Sequence, residues 1–251
     1  MRVMGFIADT EEEKPDVYDK RYTCPVCEQD FTSKTMFARK VRITKYDYDM
    51  RPFFATTNPQ KYEIVVCPHC GYAVHEKYFE PLSVKNQKKV KEEIAPLFEN
   101  ISWDGDFYTY EQAKKRMEMA LACSQVKEAK ASEEAYVLLR YAWIVRAQSE
   151  AAPEDEELQR RNQAQERELR IRALQKFQEA MNTEDFPIAG MDQRTFYFIL
   201  AALLYSIGKS EECRKLLSRL ILMRGNGVNL KNRIEQLNVL ATKAMKEDAA
   251  S

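Results

Sequence analysis

The pattern of apolar and polar positions changes character near residue 82. Before it, the apolar runs are short and bounded by turn residues. Val41 to Asp49 contains alternating and β-branched residues that suit a strand, and Tyr62 to Val66 predicts a second strand. Arg51-Pro52 and Thr57-Asn58-Pro59 are turn signals between them. After residue 82, long stretches free of Pro and Gly are dominated by Ala, Leu, Glu, Lys, Arg and Gln, the residues that lose least on entering a helix. Breakers at 103–106, 152–153, 185–187, 208 and 225–227 divide this part into helices expected at 84–100, 109–130, 132–151, 154–182, 193–207, 211–224 and 230–246. Ser132, followed by Glu133 and Glu134, reads as a helix cap with acids in the first turn.

A repeat runs through the helical part. Ala113-x3-Met117-x2-Ala120, Ala173-x3-Phe177-x2-Ala180 and Cys213-x3-Leu217-x2-Leu220 share one pattern of small and large positions. Ala201, Leu204 and Gly208 precede Cys213 by 12, 9 and 5 residues, the spacing of a tetratricopeptide helix–turn–helix. The copies are 60 and 40 residues apart, so the middle helix pair must be elongated. An ordinary bundle with heptad-like apolar faces is the plainer reading of the same pattern.

Composition narrows the class. With 39 Lys+Arg against 39 Asp+Glu in 251 residues, no global field draws the chain to nucleic acid or to an anionic membrane. Seven Gly, nine Pro and 31% charged residues exclude collagen-like and low-complexity classes. The longest apolar run, Phe196 to Tyr205, has ten residues, about half of the ~20 that a spanning helix needs. The start of the chain lacks the apolar run of a signal peptide, so a cytoplasmic location is expected. There, paired cysteines are expected to hold metal rather than form disulfides.

The strongest chemical signal is Cys24-x2-Cys27 and Cys67-x2-Cys70, separated by 39 residues. Two thiolates on one tight turn bite one ion, and two such turns supply the tetrahedral four-sulfur set of structural zinc. Pro follows the first Cys of each pair and Gly71 follows the last, as knuckle turns favour. A small β-rich module with few aliphatic residues folds marginally without such a staple. Iron in a rubredoxin-like cage uses the same ligands, and the spacing leaves that choice open. Cys67-Pro68-His69-Cys70 is also the tetrapeptide of strongly oxidising disulfide catalysts. Gly71-Tyr72 suits a knuckle better than the helix start such catalysts need, and the Cys24/Cys27 pair has no role in that chemistry. His69 is expected at the surface of its knuckle, His75 against Tyr72 and Tyr78, and Cys123 and Cys213 as small buried apolar residues.

Tyr22-Thr23-Cys24-Pro25-Val26-Cys27, Arg51-Pro52, Asn58-Pro59-x2-Tyr62 and Val66-Cys67-Pro68-His69-Cys70-Gly71-Tyr72-Ala73 resemble the bacterial domain-of-unknown-function family DUF2225 over nearly the whole chain. The resemblance implies a zinc-ribbon-like head on tetratricopeptide-like helices, with Cys24, Cys27, Cys67 and Cys70 at the ligand positions. It implies no reaction.

The expected architecture is therefore α+β and mainly α. An N-terminal extension spans 1–20, a zinc-ribbon-like module 21–82 and a tetratricopeptide-like helical domain 83–251. No phosphate-binding glycine loop, H-E-x-x-H or Gly-x-Ser-x-Gly is present, and four thiolates leave a metal no open position, so a non-enzymatic protein- or peptide-binding adaptor is expected. Its partner would lie on a concave face lined by Tyr136, Leu139, Trp143 and Arg146 from one hairpin and by Phe198, Ala202 and Tyr205 from another. Nucleic acid is the rival partner. Lys34, Arg39, Lys40, Arg42, Lys45 and Arg51 lie among Phe37, Tyr46, Tyr48, Phe53 and Phe54, but Glu28, Asp30, Asp47, Asp49 and Glu63 are interspersed and count against it.

Overall fold

Three antiparallel ribbons precede seven helices in a computed structural model that describes residues 11–99, 105–225 and 227–248. β1 (Val17–Thr23) pairs with β2 (Asp30–Met36), β3 (Ile43–Tyr46) with β4 (Pro52–Phe54), and β5 (Ile64–Val66) with β6 (Ala73–His75). The helices are α1 (Val84–Glu93), α2 (Tyr110–Val126), α3 (Ala131–Ala151), α4 (Glu156–Thr183), α5 (Gln193–Ser206), α6 (Ser210–Leu222) and α7 (Val228–Asp248). The mainly helical α+β architecture agrees with the expectation.

The module starts earlier than residue 21. A 3-10 turn at Glu11–Asp16 leads straight into β1, and the Glu13 carboxylate accepts from Lys61 Nζ (2.6 Å) and Tyr62 Oη (2.9 Å). Both members of the Glu13–Lys61 pair are buried, so the module needs Glu13 to neutralise its own interior lysine. The rest of the expected extension, residues 1–10, lies outside the described residues.

Helix boundaries follow local chemistry. Thr109 and Gln112 form a reciprocal capping box on α2, while Ser83, Asp155 and Asp192 each cap a helix with the side-chain oxygen. The first helix stops at Glu93, short of the expected residue 100, because Pro96 turns the chain into a 3-10 segment at Ala95–Leu97. Ser132 does not cap α3. It lies inside the helix, and its N–H is satisfied by Glu184 Oε1 at 2.9 Å, from beyond the end of α4.

The strands and helices share one core. Val26, Ile64 to Val66 and Tyr72 to Val74 belong to the same buried cluster as Met117, Ala142, Phe177, Phe196 and Leu217. All nine residues of the small/large pattern are buried, from Ala113 at 1% exposure through Ala173 and Phe177 to Leu220 at 0%. Gly208, at φ +87°, makes the left-handed turn between α5 and α6. One continuous buried cluster therefore joins the module to the helical part.

Candidate metal centre

Two knuckles of the same shape bring the cysteines together. In the first, Glu28 N–H donates to Cys24 O (2.9 Å) and Cys24 N–H to Gln29 O (3.0 Å). In the second, Gly71 N–H donates to Cys67 O (3.0 Å) and Cys67 N–H to Tyr72 O (2.8 Å). The residue after each second cysteine is left-handed, Glu28 at φ +62° and Gly71 at φ +73°. Gly71 is needed twice over, because a Cβ there would stand 2.5 Å from Cγ of Phe98.

Cys24 Sγ lies 3.6 Å from Cys70 Sγ, Cys27 Sγ lies 3.7 Å from Cys67 Sγ, and all four sulfurs fall within 4.8 Å of one another. A tetrahedron with metal–sulfur bonds of ~2.3 Å has edges of about 3.8 Å, so the sulfur set fits one ion. The Val26 N–H donates to Cys24 Sγ at 3.4 Å, as thiolate ligands in knuckles require. Without a cation the sulfurs cannot all ionise. Hydrogen bonds from Cys67 and Cys70 hold Cys24 down at about 2, while Cys67 is pushed up to about 12 and Cys70 is pushed upward as well. A bound cation removes that conflict by taking all four as thiolates. Cys24, Cys67 and Cys70 are buried and Cys27 is half-buried.

The surroundings tie the centre to α2. The Ala73 N–H donates to Cys123 Sγ (3.2 Å), and the Cys123 thiol donates to Gly71 O (3.7 Å). Burial raises that thiol to about 11, so it stays a neutral hydrogen-bonding group behind the second knuckle. Arg116, also from α2, donates to Ile64 O at 2.6 Å and to Ser33 Oγ at 2.8 Å. Cys213 is fully buried, as expected of a small apolar residue. His69 is exposed beside Asp30 O, and His75 packs on Tyr136 and Tyr78 rather than on Tyr72.

The expected concave binding face is not open. Leu139 and Trp143 are 3% and 4% exposed, and Phe198 and Ala202 are fully buried. The turn of the β3–β4 ribbon lies against these residues. Trp143 Nε1 donates to Asp49 Oδ2 (3.0 Å), and Arg146 donates to Asp47 Oδ2 (2.6 Å), Asp49 Oδ2 (2.6 Å) and Glu166 Oε1 (2.5 Å). Tyr205 meets Tyr48 edge to face at 5.3 Å, and Arg51 grips Glu150 with both terminal nitrogens (2.7 and 2.5 Å). Tyr136 instead packs on His75 at 5.1 Å, beside Glu63, which accepts from Arg140 Nε at 2.8 Å. Burial works to raise the Glu63 carboxyl, but the Arg140 charge and the hydrogen bonds of His75 and Arg140 outweigh it and bring it to about 2. Sequence reasoning missed this docking because its partners lie far apart in the chain, 99 residues for Arg51 and Glu150 and 97 for Arg146 and Asp49.

No helix among the described residues is long and apolar enough to cross a membrane. No curated protein and no solved structure matches the chain. A family model described as an uncharacterized protein conserved in bacteria matches residues 17–241, which include all four cysteines and about two thirds of α7. By that match the chain belongs to the bacterial family DUF2225.

Proposed function

We propose that Cys24, Cys27, Cys67 and Cys70 hold a structural zinc ion, and that the chain is a non-catalytic, cytoplasmic adaptor on tetratricopeptide-like helices. The observation that carries the reading is the closed four-sulfur cluster, whose spacing suits a tetrahedral ion and whose four thiolates leave no position for an activated water. Zinc is favoured over iron because it is the usual occupant of such knuckles in chains with reduced thiols. Elemental analysis of the purified protein tests this directly. One zinc per chain supports it, whereas a red, iron-loaded preparation or a folded metal-free protein overturns it.

The buried small/large pattern and the left-handed Gly208 turn favour the tetratricopeptide-like reading. With the concave face taken by the chain's own ribbon, a partner protein would use the outer surface. There a cleft of about 330 Å³ between α4, α5 and α6 is lined by Leu174, Tyr197, Leu200, Leu216 and Met223, with exposed Arg219 at its edge. An apolar segment bearing a carboxylate suits it. A photo-crosslinker at Tyr197 should capture a partner that Arg219→Glu loses, and capture unaffected by that change would refute the site.

A further inference from the structure

The tip of the β3–β4 ribbon is held differently from its strands. Among the described residues β3 and β4 pair only with each other, and residues 41–46, which lead to the tip, are exposed. Tyr46, beneath Arg233 of α7 at 4.5 Å, is still 48% exposed. On the return β4 is half-buried, and Ala55 and Thr56 are exposed again. Between these stems Asp49 and Arg51 are 4% and 2% exposed. The docked part is therefore the short run Asp47 to Arg51, carried on a largely exposed stalk.

Four side chains of that run meet groups on α3 and α5. The Arg146 guanidinium donates to Asp47 Oδ2 and Asp49 Oδ2, both at 2.6 Å, and lies over the Tyr48 ring at 5.4 Å. Trp143 Nε1 donates to Asp49 Oδ2 at 3.0 Å, and Tyr205 meets Tyr48 edge to face at 5.3 Å. Arg51 donates to both oxygens of Glu150. Glu166 of α4 accepts from Arg146 Nε at 2.5 Å and so orients its fork. Along the chain these contacts follow the order acid, aromatic, acid, any residue, arginine. The unread residue, Met50, stands at φ +64°, a left-handed conformation that a methionine adopts only at a cost.

We propose that this face of α3 and α5 binds a partner protein through an exposed segment of pattern Asp–aromatic–Asp–x–Arg, and that the ribbon tip is a built-in competitor for it. The partner takes the tip's place, with its carboxylates on Arg146 and Trp143, its ring on Tyr205 and its arginine on Glu150. Such an exchange replaces like contacts by like. It never leaves the half-buried Arg146 without a carboxylate, whereas simple opening of the ribbon strands charges on both sides. It also relieves the backbone of Met50. The surface is separate from the outer cleft, which is the one available while the tip is docked, and it does not depend on the identity of the metal.

A tethered competitor acts at an effective concentration of about millimolar, so the parent chain should bind a free peptide of the same pattern only in that range. Releasing the tip uncovers the intrinsic affinity of the face. The test is fluorescence anisotropy of a labelled synthetic peptide, Lys-Tyr-Asp-Tyr-Asp-Met-Arg-Pro, which is the sequence of residues 45–52, with the full chain. The chain carrying Asp47→Asn/Asp49→Asn should bind it at least about tenfold tighter than the parent. Adding Arg146→Met should abolish that gain, and a peptide with Asn at both acid positions should bind neither chain. Circular dichroism checks that the variants stay folded. Tyr48→Ala, which loosens the tip without touching its charges, should also tighten binding. In the parent itself, peptide at ~5 mM should speed amide exchange of residues 47–54 relative to the Asn peptide, since displacement frees the tip. Tighter binding by the tip variants that is lost with Arg146→Met supports the proposal. Equally weak binding by the parent and the folded tip variants, equal binding of the Asn peptide, or unchanged exchange in the parent overturns it.

Discussion

Arg146→Met tests whether the ribbon is fastened to the helices by the buried charge network. The guanidinium donates to three carboxylates, but the three do not count equally. Asp47 retains Arg51 at 3.5 Å, and Glu166 retains Arg170. Asp49, with its side chain 5% exposed, keeps only neutral donors among the described residues, the Trp143 indole and the Arg51 amide. Burial alone would raise the Asp49 carboxyl, yet the Arg146 charge holds it below the usual carboxylate range. Removing one partner of such a pair strands a buried charge, at about 3–5 kcal/mol. In a chain of this size that lowers Tm by roughly 6–20 °C. Calorimetry of the purified full chain measures the shift, and Trp143 emission should move to the red as the ribbon lifts. Asp49→Asn in the same background should restore about 2 kcal/mol or more, because no charge is then stranded. A Tm change within about 2 °C in the single variant, or strict additivity in the double, would refute the reasoning.

Other perturbations separate the remaining contributions. Cys70→Ser should remove the metal and with it much of the ~10–16 kcal/mol that a structural zinc can supply, leaving residues 17–78 protease-sensitive; retained zinc at full stoichiometry would count against the four-sulfur site. Glu63→Gln should cost about 3 kcal/mol at neutral pH, since a carboxyl held at about 2 rather than 4.5 stabilises the fold above its unfolded value. That contribution is lost as pH falls from about 4.5 toward 2, so the Tm gap between parent and variant should narrow over this range, and a gap independent of pH would discard the assignment. Gly71→Ala should cost about 1–3 kcal/mol from its left-handed backbone and the contact with Phe98, with partial recovery in Phe98→Leu measured by urea melts.

What could be read from the chain was local. Each knuckle is closed by hydrogen bonds within five residues of its first cysteine, so Cys-Pro-x-Cys was enough to identify it. The buried Ala, Phe and Cys positions of the helical pattern follow from helical periodicity alone. The α3 start was misplaced for the opposite reason: its first-turn partner, Glu184, lies 52 residues away from Ser132. The nature of Trp143 and Arg146 was equally out of reach, because a large amphipathic side chain is exposed or buried according to what docks on it. Here that is Asp49, 94 residues before Trp143.

Charge sorting in the ribbon links these features. A segment with acids and bases interspersed looks neutral when read linearly, yet a ribbon has two destinations for its side chains. Arg146 and Arg140, both on α3, draw Asp47, Asp49 and Glu63 inward, and that choice leaves Arg39, Arg42 and Lys45 exposed, with Arg39 over Phe37 and Lys45 over Phe53. The cysteine centre sets the frame in which this happens, because the ribbon lies in the loop between its two knuckles and both knuckles pack through one core onto α2. Loss of the ion should therefore release the acids from Arg146. Metal loss and a red shift of Trp143 emission should then run in parallel in one titration with chelator.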